Sequence, residues 1–387
     1  MEDSKREKLI DISFIVAIVA VALMARICLL PVKSGDFLYC LSVWMERIHD
    51  HGAWGSLAYR ISNYSAAYMY VMALVSGFKN TLYALKGFSI LFDFISAGAV
   101  FALVKHLTGN TRRGIAGFAA VLLCPTVIIN SAWWCQCDTV YVAFMLLSLL
   151  FFFKDKGSLC CIMLGIAFSF KLQAVFLLPF LVVMWAKGRT IKLWHFLWIP
   201  AVYLLFQIPA WIAGRPMSEL LGVYVNQTGM YPFGTLHYPN MYEFLLQNNH
   251  FWKHLKEVSE FGLYFSIGAL GMFAYWMVVK KFRLTPQILV TMALFSVCLA
   301  LFTMPHMHER YGMMVDLLVI VYALQRPEKI PVALCYITLS LLSYSPFLNG
   351  YDALPGIWQA IWMFALNIML GVDLARQIKD NYCATKV

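Results

Sequence analysis

Long apolar runs separated by polar connections make up most of the chain. The first run, Leu9 to Leu30, is long enough to cross a bilayer, and eleven further runs have about the 20 residues that a crossing requires or somewhat fewer. These eleven lie at roughly 87–105, 114–131, 139–153, 159–170, 172–186, 193–213, 261–279, 287–303, 311–325, 330–345 and 355–375. The pattern predicts an all-α, polytopic membrane protein with about twelve transmembrane helices.

Composition agrees with this prediction. The chain of 387 residues is 61% hydrophobic and only 13% charged, whereas a soluble domain has fewer apolar residues and about twice the charge. No separate soluble domain is visible, so we expect one transmembrane domain over residues 1–387, in contact with membrane lipids. The formal net charge of +10 is explained by basic loops and does not require a nucleic-acid partner.

Two of the polar connections are long. Residues 32–86 form the first, and its aromatic stretch from Phe37 to Asp50 predicts an amphipathic helix in an external loop. The one apolar run in this loop, Tyr64 to Val75, is too brief for a comfortable crossing, so we expect it to be re-entrant or to lie in the membrane interface. Residues 214–258 form the second long external loop.

The distribution of Lys and Arg predicts the orientation of the protein. If Tyr64 to Val75 does not cross, 19 of these residues fall on one side and 10 on the other, with Arg26 inside the first helix. Cytoplasmic loops carry the excess of positive charge, so the poorer side is extracytoplasmic. A crossing by Tyr64 to Val75 would invert every later segment, and the charge count rejects that alternative.

With this orientation the unusual polar motifs all face the extracytoplasmic side. They are Gly35-Asp36-Phe37, the segment from Trp133 to Asp138, Lys171-Leu172-Gln173, the loop 214–257 and the cluster from His306 to Tyr311. Ionisable side chains at a membrane are costly unless they face a ligand or a cavity, although the last cluster also fits a plain polar loop. Polarity on one face predicts an active site at the membrane surface. A transporter would carry polar residues near the midplane, and Asp93 and Asp316 keep that alternative open.

Taken together, these motifs resemble one family. They are the Asp after the first helix, Trp134-x-Gln136-x-Asp138, Phe170-Lys171-x-Gln173-Ala174, Pro239-Asn240-x-Tyr242 and a Met-His-Glu-Arg-Tyr motif that ends at Tyr311. In nearly the whole chain, and in this order, the sequence is similar to the bacterial Gpi18-related mannosyltransferases of the GT-C superfamily of membrane glycosyltransferases. One departure is Cys135, which stands where the family has glycine in its Trp-Gly-Gln-x-Asp motif.

The resemblance implies a multi-helix enzyme that transfers a hexose, such as mannose or glucose, from a polyprenyl-phosphate carrier to an acceptor hydroxyl with inversion. The acceptor is a glycan, a lipid or a protein, and the reaction takes place on the extracytoplasmic face. Two alternatives stay open. One is a transporter or flippase of lipid-linked saccharides, and the other is a different membrane transferase, such as an O-acyltransferase centred on a buried histidine.

The leaving phosphate needs cationic partners. The external cations beside helix ends are Lys171, His306, His308 and Arg310. Arg310 is the first choice, because its guanidinium fork can bind two phosphate oxygens at once. The alternative for Lys171 is a side chain that only reaches from a helix end to the interface.

The acceptor hydroxyl must lose a proton, and a carboxylate placed against it serves as general base. Asp36, flanked by Gly35 and Phe37, is the candidate base. Asp138 is a second catalytic carboxylate, which orients the acceptor or binds a divalent cation. Each also has a local explanation as an N-cap, of the helix from Phe37 and of the helix from Thr139.

Further side chains are expected to contact the acceptor or the sugar: Trp134, Gln136, Gln173, Asn240, Tyr242 and Glu309. Aromatic side chains that either line a sugar groove or anchor the protein at the interface are Trp44, Trp133, Trp134, Tyr231, Tyr238 and Tyr242. We predict no cofactor and no metal, because there is no clustered Asp-x-Asp and two histidines at i, i+2 point in different directions on a helix.

Overall fold

Helices account for nearly all of the secondary structure in the computed structural model, which describes residues 2–227, 233–246, 251 and 253–382. The α-helices are, in chain order, α1 (Glu2–Leu29), α2 (Ser42–His51), α3 (Ala66–Val75), α4 (Thr81–Thr108), α5 (Thr111–Leu122), α6 (Pro125–Ile128), α7 (Asp138–Phe153), α8 (Gly157–Phe170), α9 (Leu178–Ala186), α10 (Trp198–Ile212), α11 (Met217–Leu221), α12 (Val223–Gln227), α13 (Glu243–Leu246), α14 (Leu255–Val279), α15 (Pro286–Thr303), α16 (Met313–Gln325), α17 (Ile330–Ser343), α18 (Ser345–Asn349) and α19 (Gly356–Asp380). The prediction of a helical fold is confirmed.

The remaining elements are short. Two π-helical turns cover Phe37–Leu41 and Ile129–Trp133. The 3-10 helical turns cover Gly55–Ala58, Leu172–Leu177, Leu193–Leu197, Glu309–Gly312 and Pro327–Lys329. Two strands, β1 (Thr235–Leu236) and β2 (Met307–His308), pair in parallel.

Six helices in the described ranges are long and apolar enough to cross a membrane. They are Lys5–Leu29, Thr81–Thr108, Leu193–Ile212, Leu255–Val279, Pro286–Thr303 and Gly356–Asp380. The bent pair Thr111–Leu122 and Pro125–Trp133 makes a seventh if it counts as one span. The twelve apolar runs of the sequence lie mainly in helices, but several of these helices are shorter than a crossing requires. The number of about twelve crossings stays a prediction.

A proline and a buried ion pair shape the bent pair. Pro125 has no amide for a helical hydrogen bond, and α5 meets the following helical segment at 47°. Arg26 of α1 donates to the carbonyl oxygen of Leu122 at 3.0 Å, and its Nε pairs with Asp93 of α4 at 2.8 Å. The Ser131 hydroxyl also donates to Asp93, at 2.6 Å. The ion pair of Arg26 and Asp93 therefore balances two buried charges, and the hydrogen bond from Arg26 to Leu122 holds the end of α5.

The chain divides into two compact units. Unit 1 contains residues 1–174 and 193–230, and unit 2 contains residues 175–192 and 231–387. The chain passes between the units more than once, and the single transmembrane domain over residues 1–387 stays a prediction.

In unit 1 the predicted amphipathic stretch is helical and buries one face, formed by Phe37, Leu41, Met45 and Ile48. This face belongs to the same apolar core as α3. With ten residues, α3 is about 15 Å long, which is half the apolar thickness of a bilayer. Its length agrees with the expectation that this run does not cross the membrane, and the side on which the loop lies stays a prediction.

In unit 2 helix α16 is buried from Met313 to Ala323. Just before it, β2 pairs with β1, so that His308 lies opposite Leu236. Beyond its other end, the carboxylate of Asp373 in α19 accepts hydrogen bonds from Arg326 and other donors. Both ends of α16 are thus tied to neighbouring segments of the same unit.

Candidate functional site

Asp36 accepts hydrogen bonds through a single carboxylate oxygen. The Nε1 of Trp134 donates to its Oδ2 at 3.0 Å, and the Nε2 of Gln136 donates to the same atom. The other oxygen, Oδ1, accepts no hydrogen bond from the described residues, and the side chain is half-buried. Asp36 stands directly before the π-helical turn, but its side chain makes no capping hydrogen bond, and the amide of Phe37 donates to the Ser34 hydroxyl at 3.2 Å. The N-cap explanation of Asp36 is therefore wrong.

The segment that supplies both donors leaves a π-helical turn. The amide of Trp134 donates to the carbonyl of Ile129 at 2.8 Å, and the amide of Gln136 donates to that of Asn130 at 2.9 Å. The Ser34 hydroxyl donates to the Trp134 carbonyl at 2.6 Å. Helical turns of the π type are rare and occur often at functional sites. Here one precedes the donor segment and another follows the candidate base, so irregular backbone aims these side chains at one another.

Lys86 fixes the chain just before the candidate base. Its buried ammonium donates to the carbonyl oxygens of Leu29 at 2.9 Å, Leu30 at 3.2 Å and Val32 at 2.6 Å. The last carbonyls of a helix have no partner within the helix, and a cation there also interacts favourably with the helix dipole. Lys86 therefore caps α1 and holds the turn from which Asp36 follows.

Cys135 lies between the two donors and has a φ of +66°. This left-handed conformation is the one that glycine adopts most easily. The backbone thus keeps a glycine-like conformation at the position where the sequence departs from the family motif. Burial raises the pKa of the Cys135 thiol to about 12, so the thiol stays protonated and unreactive at neutral pH.

Asp138 is fully buried at the start of α7, and both of its oxygens have partners. Oδ1 forms an ion pair with the ammonium of Lys171, and Oδ2 accepts a hydrogen bond from Asn130 at 2.9 Å. The N-cap position of α7 is Cys137, and no side chain caps the helix, so the N-cap explanation of Asp138 is also wrong. Lys171 is buried as well and does not extend to an interface.

Tyr64 connects the two carboxylates. Its hydroxyl donates to Oε1 of Gln136 at 3.3 Å, and the ammonium of Lys171 lies 6.0 Å from the centre of its ring. The Trp44 ring lies 5.8 Å from the Tyr64 ring. Unit 1 thus brings together five of the predicted site residues, Asp36, Trp134, Gln136, Asp138 and Lys171. Of the others, Gln173 and Trp133 are half-buried, and Tyr231 lies outside the described residues.

The motif cluster of unit 2 follows α15 and begins with a strained residue. His306 has a φ of +60°, its amide donates to the carbonyl of Gly234 at 2.8 Å, and its Nδ1 lies 2.6 Å from the carbonyl oxygen of Phe233. Burial lowers the pKa of His306, although the hydrogen bond to Phe233 opposes this effect. The imidazole is therefore neutral at pH 7, which does not favour its expected role as a phosphate-binding cation.

Glu309 is fully buried beside two of the predicted cations. Its Oε1 accepts a hydrogen bond from Arg310 at 2.9 Å, and its Oε2 lies 3.7 Å from Nδ1 of His308. Burial raises the pKa of Glu309, but His308 and Arg310 more than offset this effect and hold the pKa below its ordinary value. An ionised Glu309 therefore orients Arg310 and places a negative charge beside His308.

Asn240 and Tyr242 are buried against the end of α15. The amide of Asn240 donates to the carbonyl of Met304 at 3.2 Å, and the hydroxyl of Tyr242 donates to that of Thr303 at 2.9 Å. The Tyr242 hydroxyl also lies against Gly262, where a Cβ atom would not fit. These contacts hold the chain just before the motif cluster, and a role of either residue in sugar binding stays a prediction.

Glu243 is a residue that the sequence reasoning missed, although it directly follows the Pro-Asn-x-Tyr motif. It is only 9% exposed, and its carboxylate lies against Gly356 at the start of α19, where a Cβ atom would overlap it. Burial, with a smaller contribution from the charge of the nearby Asp352, raises the pKa of Glu243 to about 7. Ser34, Asn130 and Lys86 were missed too, because their roles depend on partners that are distant in the sequence.

Among the described residues, no group of three or more His, Cys, Asp or Glu side chains is placed to hold a metal ion. No family model matches the chain, and no curated protein matches it. The geometry of the two clusters therefore carries the functional argument, together with the motif resemblance.

Proposed function

We propose that the protein is an integral-membrane, inverting glycosyltransferase that moves a hexose from a polyprenyl-phosphate donor to an acceptor hydroxyl. The observation that carries this proposal is the carboxylate of Asp36. A general base needs a fixed orientation and an oxygen within reach of the hydroxyl. Trp134 and Gln136 hold Oδ2 with two donors, which leaves Oδ1 for the acceptor.

In the proposed step, Oδ1 of Asp36 takes the proton of the acceptor hydroxyl while the acceptor oxygen bonds to the anomeric carbon. The bond between that carbon and the phosphate oxygen breaks, and its electron pair leaves with the polyprenyl phosphate. Attack and departure on opposite faces invert the anomeric centre. Both donors to Asp36 are neutral, so its partners leave the carboxylate without an ion pair and with one oxygen open to the acceptor.

Asp138 acts in this proposal as a positioning residue. Its oxygens are engaged by Lys171 and Asn130, so its charge is already balanced within unit 1. Through Tyr64 the pair is linked to Gln136, one of the two donors to the base. The ion pair of Asp138 and Lys171 therefore keeps the donor segment in place. Because its ammonium is already engaged there, Lys171 is a weaker candidate for a phosphate ligand than Arg310.

Arg310 binds the donor phosphate in this proposal, assisted by His308. Glu309 holds Arg310 through Nη1 and keeps a negative charge beside both cations. A planar guanidinium fixed in this way is suited to two parallel hydrogen bonds with phosphate oxygens. The polyprenyl phosphate that leaves needs charge compensation and no proton, which a permanent cation supplies.

A transporter is the second candidate that the sequence left open, and it relied on Asp93 and Asp316. Asp93 is paired with Arg26, and Asp316 accepts a hydrogen bond from Ser340 at 2.9 Å. Carboxylates that bind a transported solute line a cavity, whereas these two are buried with partners in the protein. Their environment favours a structural role, and hence the transferase.

The membrane arrangement of the proposal follows the charge count. About twelve crossings of the cell membrane place the basic loops in the cytoplasm and both motif clusters on the extracytoplasmic face, where a lipid-linked sugar and an acceptor meet. The count of 19 to 10 is what supports this orientation.

The proposal is tested by supplying the purified full-length protein with a panel of polyprenyl-phosphate hexoses and candidate acceptors. We expect release of polyprenyl phosphate coupled to a glycosylated acceptor, with the opposite anomeric configuration to the donor. Movement of intact lipid-linked sugar across a vesicle membrane, without any release of polyprenyl phosphate, would instead support the transporter.

A further inference from the structure

Arg215 is a buried cation with an unused hydrogen-bond donor. It follows α10 by three residues and is only 3% exposed. A guanidinium carries five N–H donors, and the buried Nε of Arg215 has no hydrogen-bond partner within the described residues. Its nearest acid is Glu219, whose Oε2 lies 3.6 Å from Nε, beyond the distance of a hydrogen bond. Buried donors without acceptors are costly, so this side chain is built to receive an acceptor.

A second arginine lies close to the first. Gly214, with a φ of +112°, lies beside Ala58, two residues before Arg60, and a Cβ atom added at Gly214 would be 3.8 Å from the Cβ of Ala58. Burial lowers the pKa of Arg215, Glu219 opposes this effect, and the charge of Arg60 adds to it. Arg60 is exposed and likewise donates no side-chain hydrogen bond within the described part of the chain.

These contacts leave an excess of positive charge at one spot. Arg215 has two charged neighbours, the guanidinium of Arg60 and the carboxylate of Glu219, and that carboxylate belongs to a side chain that is 46% exposed and therefore screened by solvent. Like charges that approach each other in a partly buried place are unfavourable unless an anion joins them. Guanidinium forks match the oxygens of phosphate groups in particular.

The position of the arginines indicates what kind of anion fits. Arg215 lies just beyond Ile212, where the candidate membrane span Leu193–Ile212 ends, which is the level of lipid headgroups. The last residues of that span present apolar side chains outward, with Trp211 55% and Ile212 67% exposed. An amphiphile is the ligand that joins a phosphate to an acyl or prenyl chain running along such a surface.

We propose that Arg60 and Arg215 form a binding site for the phosphate group of a membrane amphiphile, with its apolar chain along the outer face of α10. The site lies within unit 1 and goes beyond the proposed transfer reaction. Binding there requires neither a sugar nor turnover, so its failure and that of the proposed function are distinguishable.

The test is native mass spectrometry of the full-length protein in detergent with dioctanoyl phosphatidic acid as probe. Dioctanoylglycerol, which has the same chains and no phosphate, and inorganic phosphate are the comparison ligands. We expect the affinity for the probe to fall about tenfold in Arg60→Gln and in Arg215→Lys, the loss of one charged hydrogen bond in each case. Arg47→Gln, which removes an exposed arginine of α2 in the same unit, should leave the affinity unchanged.

Several outcomes would overturn the proposal. If all four proteins bind the probe equally, or if Arg47→Gln weakens binding as much as Arg60→Gln, there is only general attraction to a basic surface. Binding of dioctanoylglycerol as tightly as the probe rules out the phosphate, and binding of inorganic phosphate as tightly rules out the amphiphile. Arg60 is exposed, so Arg60→Gln keeps the test informative even if Arg215→Lys does not fold.

Discussion

The two aspartates of unit 1 are held in different ways. Asp36 is half-buried and bound through one oxygen by the side chains of Trp134 and Gln136, which carry no charge. Asp138 is fully buried, and a cation and an amide occupy its two oxygens. A carboxylate with an open oxygen and neutral partners can accept a proton from a ligand, whereas one that is ion-paired on one oxygen and hydrogen-bonded on the other stabilises the fold.

Two acidic residues of unit 2 extend this comparison. Glu309 resembles Asp138, because His308 and Arg310 stand beside it and hold its pKa low. Glu243 has neither neutral donors nor a cation within the described residues, and its pKa rises to about 7. The partners of a carboxylate thus distinguish a candidate base (Asp36), an orienting group (Glu309) and a carboxyl whose pKa is raised by burial (Glu243).

The largest expected effect is that of Asp36→Asn on turnover. Asparagine has the same size and can still accept from Trp134 and Gln136, but it cannot act as a base. If the comparison is right, turnover should fall by roughly 10²- to 10⁴-fold. Thermal stability and donor affinity should stay near the wild-type values, as measured by unfolding in detergent and by donor titration.

Asp50→Asn is the matched control for this change, because Asp50 is exposed at the far end of the same helical segment. It should behave as wild type. Full activity of Asp36→Asn in the transfer assay would contradict the base role and remove the distinction between the two aspartates.

Asp138→Asn should act mainly on stability. Removing one partner of a buried ion pair leaves Lys171 as an uncompensated charge, which costs about 3–5 kcal/mol. The double variant Asp138→Asn with Lys171→Met removes both charges and should recover much of the loss. Unfolding in detergent measures the stability, and turnover is compared per folded molecule. Abolished turnover in a stable Asp138→Asn protein, together with an active Asp36→Asn protein, would reverse the two roles.

Glu243→Gln tests what an unpartnered carboxyl does to pH dependence. The folded-state pKa of about 7 lies above the ordinary value of 4.5, so the folded protein binds a proton that the unfolded chain has lost. Stability from this residue is therefore present below pH 4.5 and falls as the pH rises to 7, by at most about 3 kcal/mol. The melting temperature of wild type should drop more between pH 5 and pH 8 than that of Glu243→Gln.

Asp352→Asn should give an intermediate result, because it removes the neighbouring charge that adds to the rise in the pKa of Glu243. If the wild type and Glu243→Gln lose the same amount of stability over this range, the carboxyl is ionised in the folded protein and has a partner.

Arg310→Lys tests whether the cation that Glu309 holds binds the donor phosphate. The charge is kept, but the planar fork that Glu309 orients is lost, so donor affinity should weaken by about 1–3 kcal/mol, the usual strength of a charged hydrogen bond. Titration with a polyprenyl-phosphate hexose measures it. Unchanged affinity in both Arg310→Lys and Arg310→Ala would mean that the phosphate binds elsewhere, with Lys171 as the next candidate.

The sequence predicted the helices well because of a simple physical requirement. A chain that is surrounded by hydrocarbon satisfies its backbone within helices and presents apolar side chains, so apolar runs and helices coincide. The run from Tyr64 to Val75 contains a helix of ten residues, which reaches about 15 Å, and the expectation that it does not cross the membrane stays a prediction. The motif residues of unit 1 stand out against an apolar background in the sequence, and the structure brings five of them together, while their roles stay predictions.

Their partners were not predictable in the same way. Lys171 is 33 residues from Asp138, and Lys86 is 57 residues from the carbonyl of Leu29 that it caps. Such pairs depend on how helices pack, which no local pattern specifies. The N-cap explanations of Asp36 and Asp138 failed for this reason, since both carboxylates bind distant side chains in place of the nearest amides.

The smallest expected effect concerns Cys135, which stands between the two donors to Asp36. A left-handed conformation costs a non-glycine residue about 1–2 kcal/mol, and Cys135→Gly would remove that cost. The same change loses a small buried side chain and increases the freedom of the unfolded chain, each of about 1 kcal/mol. The terms nearly cancel, so the stability of Cys135→Gly should lie within about 1 kcal/mol of wild type.

Cys137→Gly is the matched control, because Cys137 is equally buried but has an ordinary φ of −114°. It loses a side chain and gains no relief of strain, so its melting temperature should fall below that of Cys135→Gly.

Because the left-handed turn directs Trp134 and Gln136 to the same carboxylate oxygen, Cys135→Gly should also keep the turnover of the wild type, whereas Cys135→Val should lose it. β-Branched residues are genuine outliers at positive φ, so valine would distort the turn. Equal melting temperatures of the two glycine variants, or full activity of Cys135→Val, would show that this conformation does not position the donors of Asp36.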